Sequence, residues 1–170
     1  MNILCATALE YLTENGYTVA REDEAGICLL HSIVALPHGK VELRLDAGED
    51  DDMFTVSIHA TTPIPPEKQY IAMEFFNRVN WFFALGHLEL DPDDGRFRFT
   101  HTQLKTEHSL TEAELLTIVR IGLDRMESTT IGVLGIIEDD LHALAAIDRF
   151  NEANGNTPQY NWSFYSSRLN

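Results

Sequence analysis

The sequence predicts one α+β domain, an antiparallel meander sheet of about six strands with helices packed on one face, in the order αββββαββαα. Three observations predict this class. Short segments in which apolar and polar residues alternate occur in pairs that turn residues separate. Segments with apolar residues at helical spacing precede, interrupt and follow those pairs. The 170 residues, 44% of them hydrophobic, are enough for one core.

The first element is a helix at Ile3–Glu14, where apolar residues recur at helical spacing. Asn15 and Gly16 follow it, and both residue types tolerate the positive φ with which helices often end. Two β-rich segments come next, Tyr17–Glu22 and Ile27–Val34. The polar residues between these two segments predict a hairpin turn.

A second hairpin has the clearest strand pattern. From Lys40 to Asp46, apolar side chains alternate with charged ones, and residues 54–59 repeat this alternation. Such a pattern predicts strands with one buried and one solvated face. The acidic segment between them is the connection, so four strands form a meander.

A helix rich in aromatic residues follows at about residues 67–83, after prolines that suit its first turn. It has more apolar residues than one amphipathic stripe needs, so we expect it to be covered on more than one side. Gly86 begins the third hairpin. The Pro and Gly of the segment Asp91–Gly95 predict the turn between its strands.

A long helical region begins at Thr111 and Glu114, whose spacing fits a capping box. We expect a kink or break near Thr129, because three glycines and a β-branched run weaken the helix. Residues 151–170 are rich in Asn and Ser and predict a poorly ordered tail. The single domain is therefore expected to span residues 1–150.

Composition limits the partners and the compartment. The chain has 27 acidic and 12 basic residues and a formal net charge of −15, so nucleic acid and membrane are not expected partners. The N-terminus lacks the positive region of a secretory signal, and no aliphatic run is long enough to cross a bilayer. We expect a cytoplasmic protein in which Cys5 and Cys28 are reduced, structural thiols.

Three short segments of the chain resemble the bacterial YbjN-like proteins. These segments are Phe76–Asn80, Gly86–Asp91 and Gly95–Phe99. They resemble a helix with spaced asparagines that leads into a hairpin, whose turn begins with Asp and ends with Gly. The positions that match this structural motif are Asn77, Asn80, Gly86, Asp91 and Gly95.

The resemblance implies a fold similar to type III secretion chaperones, a dimer, and a role in sensory or stress regulation. It implies no catalytic residues. In agreement with this, the sequence contains no phosphate loop, nucleophile elbow, HExxH motif or paired CxxC motif. We therefore predict a protein that is not an enzyme and that has no cofactor, no metal and no catalytic residues.

Two features favour protein binding. The apolar surface of the helices exceeds what one face of a sheet obviously buries, so a subunit interface is expected to cover the rest. The tail carries aromatic residues that would suit an anchor on a partner or an arm folded back onto the domain. These residues are Tyr160, Trp162, Phe164 and Tyr165.

The leading functional hypothesis is a chaperone-like or regulatory domain, a homodimer built from its helices, that presents a sheet surface to a client protein. One alternative is a small-molecule sensor with a pocket between the aromatic helix and the sheet. Another is a metal-dependent enzyme that uses His59 and His101. Both histidines lie on predicted strands and could face one another near carboxylates.

Overall fold

The protein is described by a computed structural model that covers residues 3–24, 26–48, 53–104 and 111–155. The helices are α1 (Ile3–Glu14), α2 (Pro66–Asn80), α3 (Glu112–Glu138) and α4 (Ala143–Ala153). The strands are β1 (Ala20–Glu24), β2 (Ile27–Leu36), β3 (Gly39–Gly48), β4 (Met53–Ala60), β5 (His87–Leu90) and β6 (Phe97–Leu104). The predicted fold class and the order of the elements are confirmed.

The six strands form one antiparallel sheet in the order β1-β2-β3-β4-β6-β5. The first four strands are the predicted meander. After β4 the chain passes through α2 and returns as β5, which forms the far edge of the sheet. The strand β6 then pairs with both β5 and β4. The second strand of the third hairpin therefore lies next to β4, and the first strand lies at the edge.

The helices lie on one face of this sheet. α1 packs on β2, α3 packs across β4 and β6, and α2 packs on β5. The apolar side chains of β3 and β4 that alternate in sequence are buried beneath these helices, as the pattern predicted. The opposite face, which we call the outer face, has no helix over it in the described part of the chain.

The aromatic helix α2 is covered on several sides, as expected, since it also packs against α3 and α4. Phe75 and Phe76 are buried, and Phe75 lies edge-on to Phe150 of α4 with ring centroids 6.2 Å apart. The helix ends at Asn80, a few residues earlier than predicted. Most of its aromatic surface is therefore part of the chain's own core.

The predicted break near Thr129 is wrong, because α3 is continuous from Glu112 to Glu138. Its glycines allow close packing that offsets their low helix propensity. A Cβ at Gly122 would lie 2.6 Å from Ile58 Cδ1. The helical region is interrupted instead at Asp140, where φ is 55°. α4 then begins at Ala143, and its N-cap His142 accepts a hydrogen bond at Nδ1 from Ala145 N at 3.3 Å.

The expectation that both cysteines are reduced is also wrong for this structure. Cys5 of α1 and Cys28 of β2 are buried, as expected, but they are joined by a disulfide with a Cα–Cα distance of 6.4 Å. That distance is within the usual range for a disulfide. The pairing arises because α1 packs directly on β2, a contact that the spacing of the two cysteines did not indicate.

Candidate functional site

The candidate site is the centre of the outer face, where polar side chains from three neighbouring strands meet. Arg44 of β3 lies opposite Ser57 of β4, and Ser57 lies opposite Thr100 of β6. His59 lies opposite both Glu42 of β3 and Arg98 of β6. Since alternate residues of a strand share a face, all of these side chains point away from the helices.

Ser57 and Thr100 form a buried polar floor in this centre. They are only 2% and 7% exposed, although no helix of the described chain covers them. Ser57 Oγ and His59 Nε2 share a hydrogen bond of 2.9 Å. Longer neighbouring side chains therefore shield these two hydroxyl groups from solvent.

Two ion pairs flank the floor. Arg44 donates from a terminal guanidinium nitrogen to Glu42 Oε2 at 2.8 Å. Arg98 donates from Nε to Glu89 Oε2 at 2.6 Å, and His87 Nε2 lies 2.9 Å from the other oxygen of Glu89. Such partly exposed pairs contribute little to stability by themselves. They matter here because they place charged groups in the site.

The environment keeps His59 neutral. Burial disfavours the charged imidazolium, and the positive charges of Arg44 and Arg98 act in the same direction, so the pKa of His59 is lowered to about 4. Burial raises the pKa of the neighbouring Asp46, against the opposing effect of the same two arginines. The charges of the two arginines thus act on both groups, in a chain whose net charge is −15.

Large apolar side chains lie exposed around this polar centre. Ile33 of β2 is 60% exposed and Leu104 of β6 is 64% exposed. Ile27 of β2 and Met53 of β4 are also exposed, and Met53 lies opposite Leu104. We call Ile27, Ile33, Met53 and Leu104 the outer apolar set.

A second exposed surface lies on α2. Tyr70 and Trp81 are 77% and 78% exposed, and Met73 is exposed between them. Together with Asn77, these side chains follow helical spacing along one side of the helix and its C-cap. We call Tyr70, Met73, Asn77 and Trp81 the α2 stripe.

A cleft of about 780 Å³ connects the two surfaces around the edge strand β5. Arg44, His59 and Arg98 line it on the outer face. Asn77 and Asn80 line it on α2. This edge cleft lies partly between the aromatic helix and the sheet, where the sensor hypothesis expected a pocket.

The positions that match the family motif hold the third hairpin in place. Asn80 makes two hydrogen bonds with the backbone of Leu88, whereas Asn77 is exposed and makes none within the described chain. Gly86 has a φ of 66°, and a Cβ there would overlap the ring of Phe99. These contacts are structural, and they join the end of α2 to the first strand of the hairpin.

The turn of this hairpin depends on Asp91 and Gly95. Asp91 Oδ1 accepts a hydrogen bond from Asp93 N at 2.9 Å, and Gly95 N donates to Asp91 O at 2.8 Å. Gly95 has a φ of 76°, and its carbonyl accepts from Ile64 N at 2.8 Å. This hydrogen bond joins the turn to the segment that leads into α2.

The proposed pairing of His59 with His101 is wrong. His59 lies opposite Arg98, whereas His101 lies opposite Val56, a buried residue on the helix side of β4. Val56 and His59 are three positions apart on β4 and therefore face opposite sides, so the two histidines point to opposite faces of the sheet. Within residues 3–24, 26–48, 53–104 and 111–155, no three His, Cys, Asp or Glu side chains form a group that could hold a metal ion.

The aromatic tail residues Tyr160, Trp162, Phe164 and Tyr165 lie outside the described residues. Sequence reasoning missed the meeting of Arg44, His59 and Arg98. Their positions on the polar sides of their strands were readable, but the strand order that makes β6 the neighbour of β4 was not. No helix in the described part of the chain is both long and apolar enough to cross a membrane.

Comparison with known proteins agrees with the fold. The crystal structure titled "Crystal structure of YbjN, a putative transcription regulator from E. coli" matches with a TM-score of 0.55 at 12% identity, over 84% of this chain and 98% of that chain. No curated protein matches the sequence significantly. Residues 9–129 match the model of the YbjN family, described as "Putative bacterial sensory transduction regulator". This match covers more than half of the chain, which therefore belongs to the YbjN family.

Proposed function

We propose that this protein is a non-enzymatic regulatory domain of the cytoplasm that binds a client protein through the outer face of its sheet. The outer apolar set is the observation that carries this proposal. Exposed apolar groups gathered on one face are typical of surfaces that bind another protein. The regulatory description of the YbjN family supports the same class of function.

A homodimer is the second part of the proposal. The α2 stripe presents two aromatic side chains that the chain's own core does not cover. Tyr and Trp are the residue types that contribute most at interfaces. A dimer built on this helix would leave the outer face free for the client, as the chaperone-like hypothesis requires.

The client proposal is tested by quantitative pulldown with the tagged full-length chain from a native lysate. Leu104→Ser and Ile33→Ser should each deplete the proteins that the wild type retains, because they remove apolar area from the outer face. Leu144→Ser is the matched control, since Leu144 is an exposed leucine on the helix side. Equal retention by Leu104→Ser and Leu144→Ser would reject the outer face as the client surface.

The dimer proposal is tested by light scattering coupled to size exclusion. The wild type should elute with the mass of two chains, and Tyr70→Ala with Trp81→Ala should shift it to one. Leu144→Ala should remain dimeric. A wild type that is monomeric throughout the micromolar range would remove this part of the proposal and leave the client proposal intact.

The aromatic tail is a proposed partner anchor. Because α4 extends to Ala153, the appropriate truncation ends at residue 155 and not at residue 150. The truncated chain should keep its fold and lose part of its client retention. If residues 1–155 behave like the full chain in both assays, the tail has no role in either.

A further inference from the structure

We propose that the outer face contains a binding site for a small oxyanion, a carboxylate or phosphate group, held between Arg44 and Arg98 in the edge cleft. This site goes beyond the proposed protein-binding function, because its occupant is a free small molecule. It would give a regulatory domain a way to respond to a metabolite.

The first argument is that both guanidinium groups keep unused donors. Arg98 engages Glu89 through Nε alone, so its two terminal nitrogens have no partner in the described chain. Arg44 uses one terminal nitrogen for Glu42, and its buried Nε has no hydrogen-bond partner among the described residues. The remaining terminal nitrogens of both guanidinium groups can donate to an oxyanion.

The second argument is geometric. The register places Arg44, Ser57 and Thr100 side by side on three adjacent strands, and Arg98 lies two residues before Thr100 on the same face. Arg44 thus stands beside Ser57 and Arg98 beside His59, and both arginines line the edge cleft. Arginine forks and hydroxyl donors are the groups that proteins use to bind carboxylates and phosphates.

The third argument concerns the nearby carboxylates. Glu42 and Glu89 each occupy one donor of Arg44 and Arg98, and both arginines also act on Asp46. Glu89 is shared with His87, and Asp94 accepts a hydrogen bond from Arg96 N at 2.8 Å. The charges of Arg44, Arg98 and Arg96 act in the same direction as burial on the pKa of His59, and Glu42 acts against them. An incoming anion competes with Glu42 and Glu89, so we expect affinity in the millimolar range.

The test is a titration of the ¹⁵N-labelled full-length chain, followed by amide chemical shifts at neutral pH and constant ionic strength. One arm uses inorganic phosphate and the other uses succinate. Saturable shifts centred on Ser57, His59 and Thr100 are expected in at least one arm. The arm that saturates at lower concentration identifies the oxyanion that the site prefers.

Variants separate a specific site from general attraction to positive charge. Arg44→Gln and Arg98→Gln should each raise the Kd about tenfold, because each removes a charge-assisted hydrogen bond. Arg120→Gln is the matched control, since Arg120 is an exposed arginine on α3. Arg98→Lys keeps the positive charge but loses the paired guanidinium donors. It replaces Arg98→Gln in the titration if the glutamine variant does not fold.

The proposal is overturned if neither anion gives saturable shifts at the outer face. It is equally overturned if Arg120→Gln weakens binding as much as Arg98→Gln does. Shifts that increase linearly in both arms would also reject it.

Discussion

Asn80 forms two hydrogen bonds with the backbone of Leu88, on the edge strand of the sheet. Its side-chain amide donates to Leu88 O at 3.0 Å, and its side-chain carbonyl accepts from Leu88 N at 2.7 Å. The last residue of α2 thus takes the place that a further strand would occupy. Open strand edges invite pairing with other chains, so this contact closes the β5 edge as well as fixing the hairpin.

Asn80→Ala should lower the free energy of unfolding by about 2 kcal/mol, because it leaves both backbone groups of a buried residue without a partner. Asn77→Ala is the control, since the side chain of Asn77 is exposed and makes no hydrogen bond with the described residues. Urea denaturation measures both variants. Equal effects of the two substitutions would contradict the structural role given to Asn80.

Substitutions at Gly86 and Gly16 distinguish the cost of backbone strain from the cost of steric crowding. Both have positive φ, but a Cβ at Gly86 would lie 2.7 Å from Thr100 O, whereas a Cβ at Gly16 meets nothing within 4 Å. Gly16→Ala should therefore cost about 1 kcal/mol and Gly86→Ala about 3 kcal/mol. Thermal or urea unfolding measures the difference, and similar losses would show that Gly86 is not crowded.

Reduction of the Cys5–Cys28 disulfide should lower the free energy of unfolding by about 3 kcal/mol, the value for a loop of this length. The two cysteines are separated by 23 positions. Urea midpoints with and without a reductant measure the effect, and Cys5→Ala with Cys28→Ala should not respond to reductant. Unchanged midpoints in the wild type would contradict the prediction.

The state of this disulfide in the cell bears on the compartment. Disulfides are rare in the reducing cytoplasm, where the proposed function places the protein. Alkylation of thiols during rapid lysis, followed by mass spectrometry, measures the fraction that is paired. Predominantly paired cysteines would contradict the proposed cytoplasmic location.

Acid should destabilise the protein through His59. The imidazole takes up its proton near pH 6.5 in the unfolded chain but only near pH 4 in the folded one. Between these values the unfolded state binds more protons, so the free energy of unfolding decreases as the pH falls from 6.5 toward 4. His59→Gln should lose less stability than the wild type over this range in urea titrations. An NMR titration that gives His59 a pKa near 6.5 in the folded protein would contradict this prediction.

Thr129 offers a stabilising substitution. Its side chain is completely buried in α3, and its hydroxyl finds no hydrogen-bond partner in the described part of the chain. Thr129→Val should raise the free energy of unfolding by about 1 kcal/mol, because the desolvated hydroxyl is replaced by a methyl group of similar size. Thr130→Val, at a partly exposed neighbour, is the control. A destabilised Thr129→Val would show that the hydroxyl has a partner.

The sequence alone determined those features that depend on neighbours along the chain. The alternation of β3 and β4 predicted that their apolar side chains are buried, and the capping box of Thr111 and Glu114 is present at the start of α3. The helix end at Gly16 also follows from local chemistry, since its φ is 87°. Periodicity and φ preference act over a few residues, so a single sequence displays them.

Tertiary structure decided what depends on which distant segments meet. Packing of Gly122 on Ile58 keeps α3 continuous despite its weak helix propensity, and packing of α1 on β2 joins Cys5 to Cys28. The insertion of β6 beside β4 brings Arg98 to His59 and turns His101 to the other face. Strand order and register depend on how much apolar surface the whole core buries. No local pattern in the sequence encodes that total.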